Sequence, residues 1–330
     1  MIVGMRSWPT STMAGGRKGR LDSSIARVNA TEGLMTDIVG SEAVQSLLDR
    51  ASGLGESGGN ARLKAITRDL LEAIMSIVEK HDISEGEFWQ AVKFLQDGAG
   101  EFGLIAPGVG LEHFLDLHMD AKDAAAGRVG GTPRTIEGPL YVEGAPLVEG
   151  DVDLSSDPDE TETLSMTGVV RGPDEEPVKG AILHVWHANS QGFYSHFDPT
   201  REQTPFNNRR RIKLGDDGRY AFHSKMPRGY SCPPGGACET LMHALGRRGD
   251  RPAHVHFFVE APGYRTLTTQ INFGDDPLAA TDFPFGTREG LLPIPNRQGE
   301  RVHVGFDFVL QKTRSAEDEG FSARPRLHVD

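Results

Sequence analysis

His254 and His256, separated only by Val255, are the side chains whose type and spacing most directly suggest chemistry. On a β-strand, alternate side chains share a face, so the two imidazoles would point the same way. Two neutral imidazoles on one face are half of a transition-metal site, although a bare pair of this kind can equally be two histidines satisfied within a core. Phe257, Phe258 and Val259 continue the run as an apolar strand, which places the pair on a buried element. The identity of a metal depends on the remaining ligands. No cysteine lies beside the pair, which argues against structural zinc. His118-Met119-Asp120 has the literal spacing of a His-x-Asp iron(II) motif. It lies, however, within Leu111–Ala121, which reads as a helix, where residues two apart do not share a face.

Glu260 and the tyrosines remain as ligand candidates. With Glu260, the strand reads His254-x-His256-x-x-x-Glu260 and is similar to the first metal motif of cupins, but no second cupin motif is evident near His303. Five tyrosines occur, Tyr141, Tyr194, Tyr220, Tyr230 and Tyr264. Tyr194 closes the segment Trp186–Tyr194, and Tyr230 closes Met226–Tyr230. Both segments are loop-like, contain glycine and follow predicted strands, where functional residues are commonly held. A single tyrosine is ordinarily an amphipathic ring bridging core and water.

The elements that must position these residues fall into two regions. From 37 to 125 the periodicity is helical. Leu63, Ile66, Leu70, Ile74 and Ile77 recur at steps of three and four and form one stripe, expected mostly to pack in a core, with a surplus face available to a second subunit. Ser84-x-x-Glu87 reads as a capping box. Gly130-Gly131-Thr132-Pro133 reads as a linker turn. Short β-like runs follow at Thr163–Val170, Ala181–His187, Arg209–Leu214, Arg219–His223, His254–Glu260, Thr266–Phe273 and Arg301–Leu310. Asp216-Asp217-Gly218 predicts a hairpin between two of them. Short strands with frequent turns and no intervening helices predict an antiparallel β-sandwich. The fold class is therefore mainly β with α: a helical region at 35–125, a β-sandwich domain at 126–311 and a C-terminal tail at 312–330. Residues 1–34 are basic and lack an apolar stretch. They are expected to be a disordered tail or the product of a start called too early, with Met35 opening the folded protein.

Bulk composition sets outer bounds. In 330 residues, 35 Lys and Arg against 47 Asp and Glu give a net charge of −12, which offers no basis for binding nucleic acid. Hydrophobic residues at 37% support a packed core. No apolar run approaches the ~20 residues of a membrane span. Cys232 and Cys238 are the two cysteines. They read as free thiols in a reducing compartment, and a cytoplasmic location is expected.

Taken together, the segments Thr132–Pro146, Val185–Asp198, Met226–Pro234, Gly249–Glu260 and Ala261–Gln270 resemble the intradiol ring-cleavage dioxygenases, specifically the catechol 1,2-dioxygenase branch. The resemblance runs from about residue 37 to about 311. It implies that Tyr194, Tyr230, His254 and His256 bind Fe(III), one ion per subunit. It also implies that catechol is opened by O₂ between its hydroxyl-bearing carbons to cis,cis-muconate, within aromatic degradation through the β-ketoadipate pathway. Tyr230 would be the ligand that leaves when substrate arrives, and Tyr194 the one that stays. A hard trivalent ion suits anionic oxygen and lowers the phenol pKa far below its usual value of ~10.

By the same resemblance, Arg251 is a pocket arginine that stabilises charge on the activated ring, and Gln270 lies beside the metal, where it would orient a histidine or a substrate oxygen. Leu104, Pro107, Ile136, Pro139, Leu140, Phe283 and Pro284 line the substrate pocket. Pro107 and the Ile136–Gly138 run favour catechol over hydroxyquinol, whereas Pro284 stands where this branch commonly has alanine and narrows the pocket. The resemblance also implies a homodimer through the N-terminal helices, with a lipid at the interface as in some relatives. The residues alone leave alternatives open: a hydroxyquinol or substituted-catechol 1,2-dioxygenase, a cupin-like metalloenzyme, or a non-enzymatic β-sandwich binding module.

Overall fold

The structure is a computed structural model that describes residues 37–158, 161–313 and 326–328. The expectation for residues 1–34 and Met35 lies outside them. The chain divides into two compact units between Phe88 and Trp89.

In the first unit, α1 (Glu42–Ser52) begins where the Ser41 side chain accepts a hydrogen bond from Val44 N and ends at Gly53, whose φ is +72°. α2 (Ala61–Lys80) is capped by Asn60, which accepts from Leu63 N. Arg68 ties α2 to α1 through Asp49 at 2.7 Å. The capping box is present: Glu87 accepts from Ser84 N at 2.9 Å, and Ser84 Oγ accepts from Glu87 N at 3.3 Å. The α2 stripe departs from the expectation of core packing. Leu63, Ile66, Leu70, Ile74 and Ile77 are between 44% and 62% exposed. Periodicity identifies an apolar face but not what covers it, and α1 is too short to cover a helix of 20 residues.

In the second unit, α4 (Phe102–Gly108) and α5 (Leu111–Ala125) pack with the β-rich part. Asp120 on α5 binds Arg134 at 2.9 Å and Arg288 at 2.7 Å, and Asp123 binds Arg265 at 2.6 Å. Asp120 is thus committed to arginines, as expected once His118-Met119-Asp120 lies on a helix.

The sandwich has two sheets. One carries β2 (Leu147–Glu149), β6 (Arg209–Lys213), β5 (Ile182–Trp186), β8 (His254–Glu260) and β9 (Leu267–Asn272) in that spatial order. The other carries β10 (Asn296–Gln298), β11 (Arg301–Gly305), β4 (Thr163–Arg171), β7 (Arg219–Lys225) and β3 (Asp151–Asp153), with β12 (Phe308–Val309) also on β4. The pairs β5–β6, β5–β8, β8–β9 and β4–β7 are antiparallel. The sheets are nevertheless mixed, because β2–β6, β3–β7 and β4–β11 are parallel.

Two local expectations change. Asp216-Asp217-Gly218 does not close a hairpin, since β6 and β7 belong to different sheets. Ile212 and Phe222 instead meet in the shared core, so the turn carries the chain across the sandwich. The run Arg301–Leu310 is split into β11 and β12 because the backbone between them is drawn to other groups. Phe306 N donates to Thr167 O at 2.9 Å, and Tyr220 Oη donates to Phe306 O at 2.6 Å.

β8 is buried on both faces. Val255, Phe257 and Val259 enter the core between the sheets with Leu183, Val185 and Phe222. Phe258 faces the other way, into a cluster with Tyr141, Trp186, Ala188 and Tyr194. Alternation therefore sends His254 and His256 to the outer face of their sheet, where a layer of loops covers them.

Candidate metal centre

The two histidines lie at the start of β8, where Trp186 of β5 is opposite His256 on one side and Gln270 of β9 on the other. The Trp186 and His256 rings stack with centroids 4.9 Å apart and planes 5° from parallel, which fixes the imidazole plane. His254 Nδ1 lies 2.7 Å from Pro252 O. A carbonyl oxygen can only accept, so Nδ1 carries the proton and Nε2 presents a lone pair.

That lone pair faces both phenols. Tyr194 Oη is 3.1 Å and Tyr230 Oη 3.5 Å from His254 Nε2. The tyrosine rings meet edge to face at 89°, and the imidazoles of His254 and His256 meet at 84°. The four side chains singled out by sequence are thus brought together, from one strand and two loops.

Both loops are tightly held. Asn189 Oδ1 accepts from Gln191 N and Phe193 N, each at 3.0 Å. Gly192 has φ +85°, and a Cβ there would sit 3.0 Å from Tyr230 Cβ. Glycine is required both for the backbone conformation and for the approach of the second loop. Arg209 clamps the far side of the Tyr194 loop. It donates to Ser195 Oγ at 2.9 Å, Ser195 O at 3.1 Å and Leu140 O at 2.8 Å. On the Tyr230 loop, Arg251 N donates to Tyr230 O at 2.7 Å.

Arg251 is buried and multiply engaged. It donates to Tyr230 Oη at 3.3 Å through Nη1 and to Gln270 Oε1 at 2.8 Å through Nη2. Asp282 pairs with it at 2.9 Å from Nε and 3.1 Å from Nη2. Gln270 is committed to Arg251 and, through Nε2, to Asn272 Oδ1 at 2.6 Å. Burial works against the Arg251 charge, but the Asp282 carboxylate outweighs it and holds the guanidinium above its usual range. Burial likewise opposes ionisation of Asp282, and Arg251 more than offsets it, so the carboxyl lies below its usual range.

Among the described residues, no three His, Cys, Asp or Glu side chains gather to hold a metal, and a centre here would draw on the phenols. The donors fit such an ion. Burial, then the Arg251 charge, pushes His254 down to about 3. Burial pushes His256 well below its ordinary value, and its buried Nδ1 has no hydrogen-bond partner. Both rings are therefore neutral and able to ligate. Burial and then Tyr230 push the Tyr194 phenol well up, so ionising it requires a cation within bonding reach. Glu260 is engaged by His184 Nε2 at 3.0 Å, which supplies that carboxylate with a partner other than a metal.

The structure brings only some of the expected pocket positions beside this cluster. Leu140, like Tyr230, packs against the cluster of Tyr141, Trp186, Ala188, Tyr194 and Phe258. A Cβ on Gly138 would lie 4.0 Å from His256 Cε1, so the 136–140 segment runs directly against β8. Ile136 is 1% exposed, and Pro284 is also buried. Leu104 and Phe283 meet in a separate cluster with Cys232, Cys238 and Met242, where both cysteines are free. Pro107 and Pro139 line an apolar cavity of about 520 Å³ that none of the four candidate ligands touches.

Asp282, Trp186 and Arg209 were not singled out from sequence. Asp282 precedes Phe283 without any motif linking it to Arg251. Trp186 opens the segment that carries Tyr194, but its pairing with His256 joins positions far apart in sequence and leaves no local pattern.

A family model described as dioxygenase matches residues 136–312, and one described as catechol dioxygenase N terminus matches residues 60–127. Catechol 1,2-dioxygenase 1 of Acinetobacter lwoffii is 50% identical over 261 residues, covering 78% of this chain and 83% of that protein. Catechol 1,2-dioxygenase of Acinetobacter baylyi is 44% identical over 308 residues, covering 88% and 99%. The structure of catechol 1,2-dioxygenase from Acinetobacter sp. ADP1, inhibited by bound mercury, superposes with a TM-score of 0.84 at 42% identity, covering 89% of this chain and all of that one. Two phenols and two neutral imidazoles converging on one buried point, in a chain that matches along both its helical and β parts, place this protein in the intradiol ring-cleavage dioxygenase family, in the catechol 1,2-dioxygenase branch.

Proposed function

We propose that this protein cleaves catechol with O₂ between the two hydroxyl-bearing carbons, giving cis,cis-muconate, and that Tyr194, Tyr230, His254 and His256 hold one Fe(III) per subunit. The observation that carries this reading is the approach of both phenol oxygens to the unprotonated Nε2 of His254, at 3.1 and 3.5 Å. Bound there, Fe(III) would act as a Lewis acid and template that makes the aromatic ring reactive toward O₂.

The chain's own groups have unequal roles. Tyr194 is 2% exposed and immobilised between Arg209 and Tyr230, which suits a permanent ligand. Tyr230 is less buried and contacts Arg251, which suits a phenolate that swings away and accepts a catechol proton at Oη. The fixed charge of Arg251 lies where negative charge grows on the activated ring, and Gln270 and Asp282 hold it there. Ile136 and Leu140, on the segment that runs against β8, would bind the ring and exclude water, and the family resemblance adds Leu104, Pro107, Pro139, Phe283 and Pro284 to the same wall.

The exposed aliphatic stripe of α2 supports a homodimer through the N-terminal helices. The same surface suits a lipid acyl chain, to be sought by extraction and mass spectrometry. No helix is long and apolar enough to cross a membrane among the described residues, and a cytoplasmic location is part of the same proposal.

A visible spectrum of the purified protein, before and after adding catechol under nitrogen, tests the centre. Tyrosinate-to-iron(III) charge transfer should give a burgundy colour that shifts on catechol binding. Adding air should then produce muconate. A colourless, iron-loaded protein would overturn the ligand assignment.

A further inference from the structure

The segment from Ile136 to Leu140 runs against the metal-binding strand without secondary structure of its own. Its position therefore depends on side chains. From one side, Glu112 Oε1 accepts from Glu137 N at 2.9 Å and Gly138 N at 3.4 Å. From the other, Arg326 near the C-terminus grips the Glu137 side chain with two parallel bonds, Nε to Oε1 and Nη2 to Oε2, both 2.8 Å. The two side chains are only 7% and 3% exposed. Arg326 also lies over the rings of Tyr141 at 5.8 Å and Phe258 at 5.6 Å. Tyr141 packs edge-on against Trp186 at 4.9 Å, and Trp186 stacks on His256. Leu327 and His328, in β13, pair in parallel with Val142 and Glu143 of β1, immediately after the segment. Residues 326–328 are thus joined to the pocket wall by backbone, by a buried ion pair and by aromatic contact.

We propose that Arg326 is a positioning residue for substrate binding: its bidentate grip on Glu137 holds the 136–140 wall in contact with the His256 side of the centre, beside the space a catechol ring would occupy. This inference rests on the reading that 136–140 lines the catechol pocket. A two-pronged guanidinium bond fixes both distance and orientation, which one ammonium bond does not. The clamp acts on the wall rather than on any candidate ligand, so it should govern KM more than metal content.

The test uses the iron-loaded full-length protein and its Arg326→Gln, Arg326→Lys and Glu137→Gln variants, assayed with catechol and 4-methylcatechol. Arg326→Gln should keep the wild-type iron content and charge-transfer band while KM for catechol rises about tenfold, in line with the cost of misplacing a pocket by a fraction of an ångström. The ratio of catechol to 4-methylcatechol turnover should change with it. Arg326→Lys should fall between the two. Glu137→Gln breaks the same pair from the other side and carries the test if Arg326→Gln does not fold. Combining it with Arg326→Gln should be no worse than the worse single variant. Wild-type KM and substrate ratio in both single variants would overturn the clamp. So would loss of iron in proportion to activity, or an Arg326→Lys variant no better than Arg326→Gln. A wild-type protein that forms no muconate would instead count against the reading of the site, since that failure does not involve Arg326.

Discussion

Asp282 holds Arg251 with both carboxylate oxygens, at 2.9 and 3.1 Å, in a pair whose side chains are 1% and 4% exposed. Because Arg251 also reaches Tyr230 Oη, Asp282 fixes where positive charge sits beside a candidate iron ligand without itself approaching it.

Asp282→Asn should therefore lower kcat for catechol by about tenfold to a hundredfold through misplacement of Arg251. It should also destabilise the fold by about 3 kcal/mol, because a buried guanidinium loses its counter-charge. The folded-state pKa of Asp282 is depressed, so its contribution is present above the unfolded value of ~3.9 and is lost as pH falls through the lower folded value. Urea midpoints of wild type and variant should differ from pH 7 down to about 5 and converge below ~3.9. A constant difference down to the acid transition would show that the carboxylate charge is not what stabilises the pair.

Gly192→Ala should disturb both tyrosine loops at once. The φ of +85° disfavours any side chain by about 1–2 kcal/mol, and the added methyl meets Tyr230 Cβ at 3.0 Å. Iron content and visible absorbance should drop together, measured by metal analysis on protein that remains folded by circular dichroism. Full iron occupancy in this variant would mean that the two loops are less tightly coupled than their contact indicates.

Leu70→Lys combined with Ile74→Lys places two charges in the exposed stripe of α2. Light scattering at micromolar concentration should give twice the chain mass for the wild type and a monomer for the double variant, with iron retained. A monomeric wild type would remove the case for the helical dimer.

What the sequence made legible follows the range of the forces involved. β8 was expected at His254–Glu260 and is found there, because alternation of Val255, Phe257 and Val259 against the histidines is a local pattern. Ser84 and Glu87 are three residues apart and were equally readable. The Asp216–Gly218 turn was seen, but the sheet to which each flanking strand belongs depends on pairing partners far away in sequence. Arg251 is expected from the family resemblance, which assigns nothing to Asp282, and an ion pair across 31 residues leaves no period or spacing. Arg326 lies in the segment expected to be only a tail, and its partner Glu137 is 189 residues away.

The last prediction separates the two phenols. Tyr194 is buried, meets Tyr230 edge-on and lies under the Arg209 guanidinium at 5.6 Å, so it has little freedom to leave. If Tyr194 is the permanent anionic donor proposed, Tyr194→Phe should lose iron or hold it weakly. Tyr230 is less buried and has Arg251 Nη1 at 3.3 Å, a donor able to receive its oxygen when it moves. Tyr230→Phe should therefore keep more iron than Tyr194→Phe but turn over poorly, because the group proposed to accept the catechol proton is gone. Catechol binding in Tyr230→Phe must then draw on an outside base, so its affinity should rise more steeply with pH than in the wild type and respond to buffer concentration. Each variant retains one phenolate and should lose part of the charge-transfer band. Metal analysis, visible titration with catechol under nitrogen and single-turnover rates across pH read these effects separately. Equal iron content and equal turnover in the two variants would remove the asymmetry, and a full wild-type band in both would mean that neither phenol binds the metal and that His254 and His256 serve a different centre.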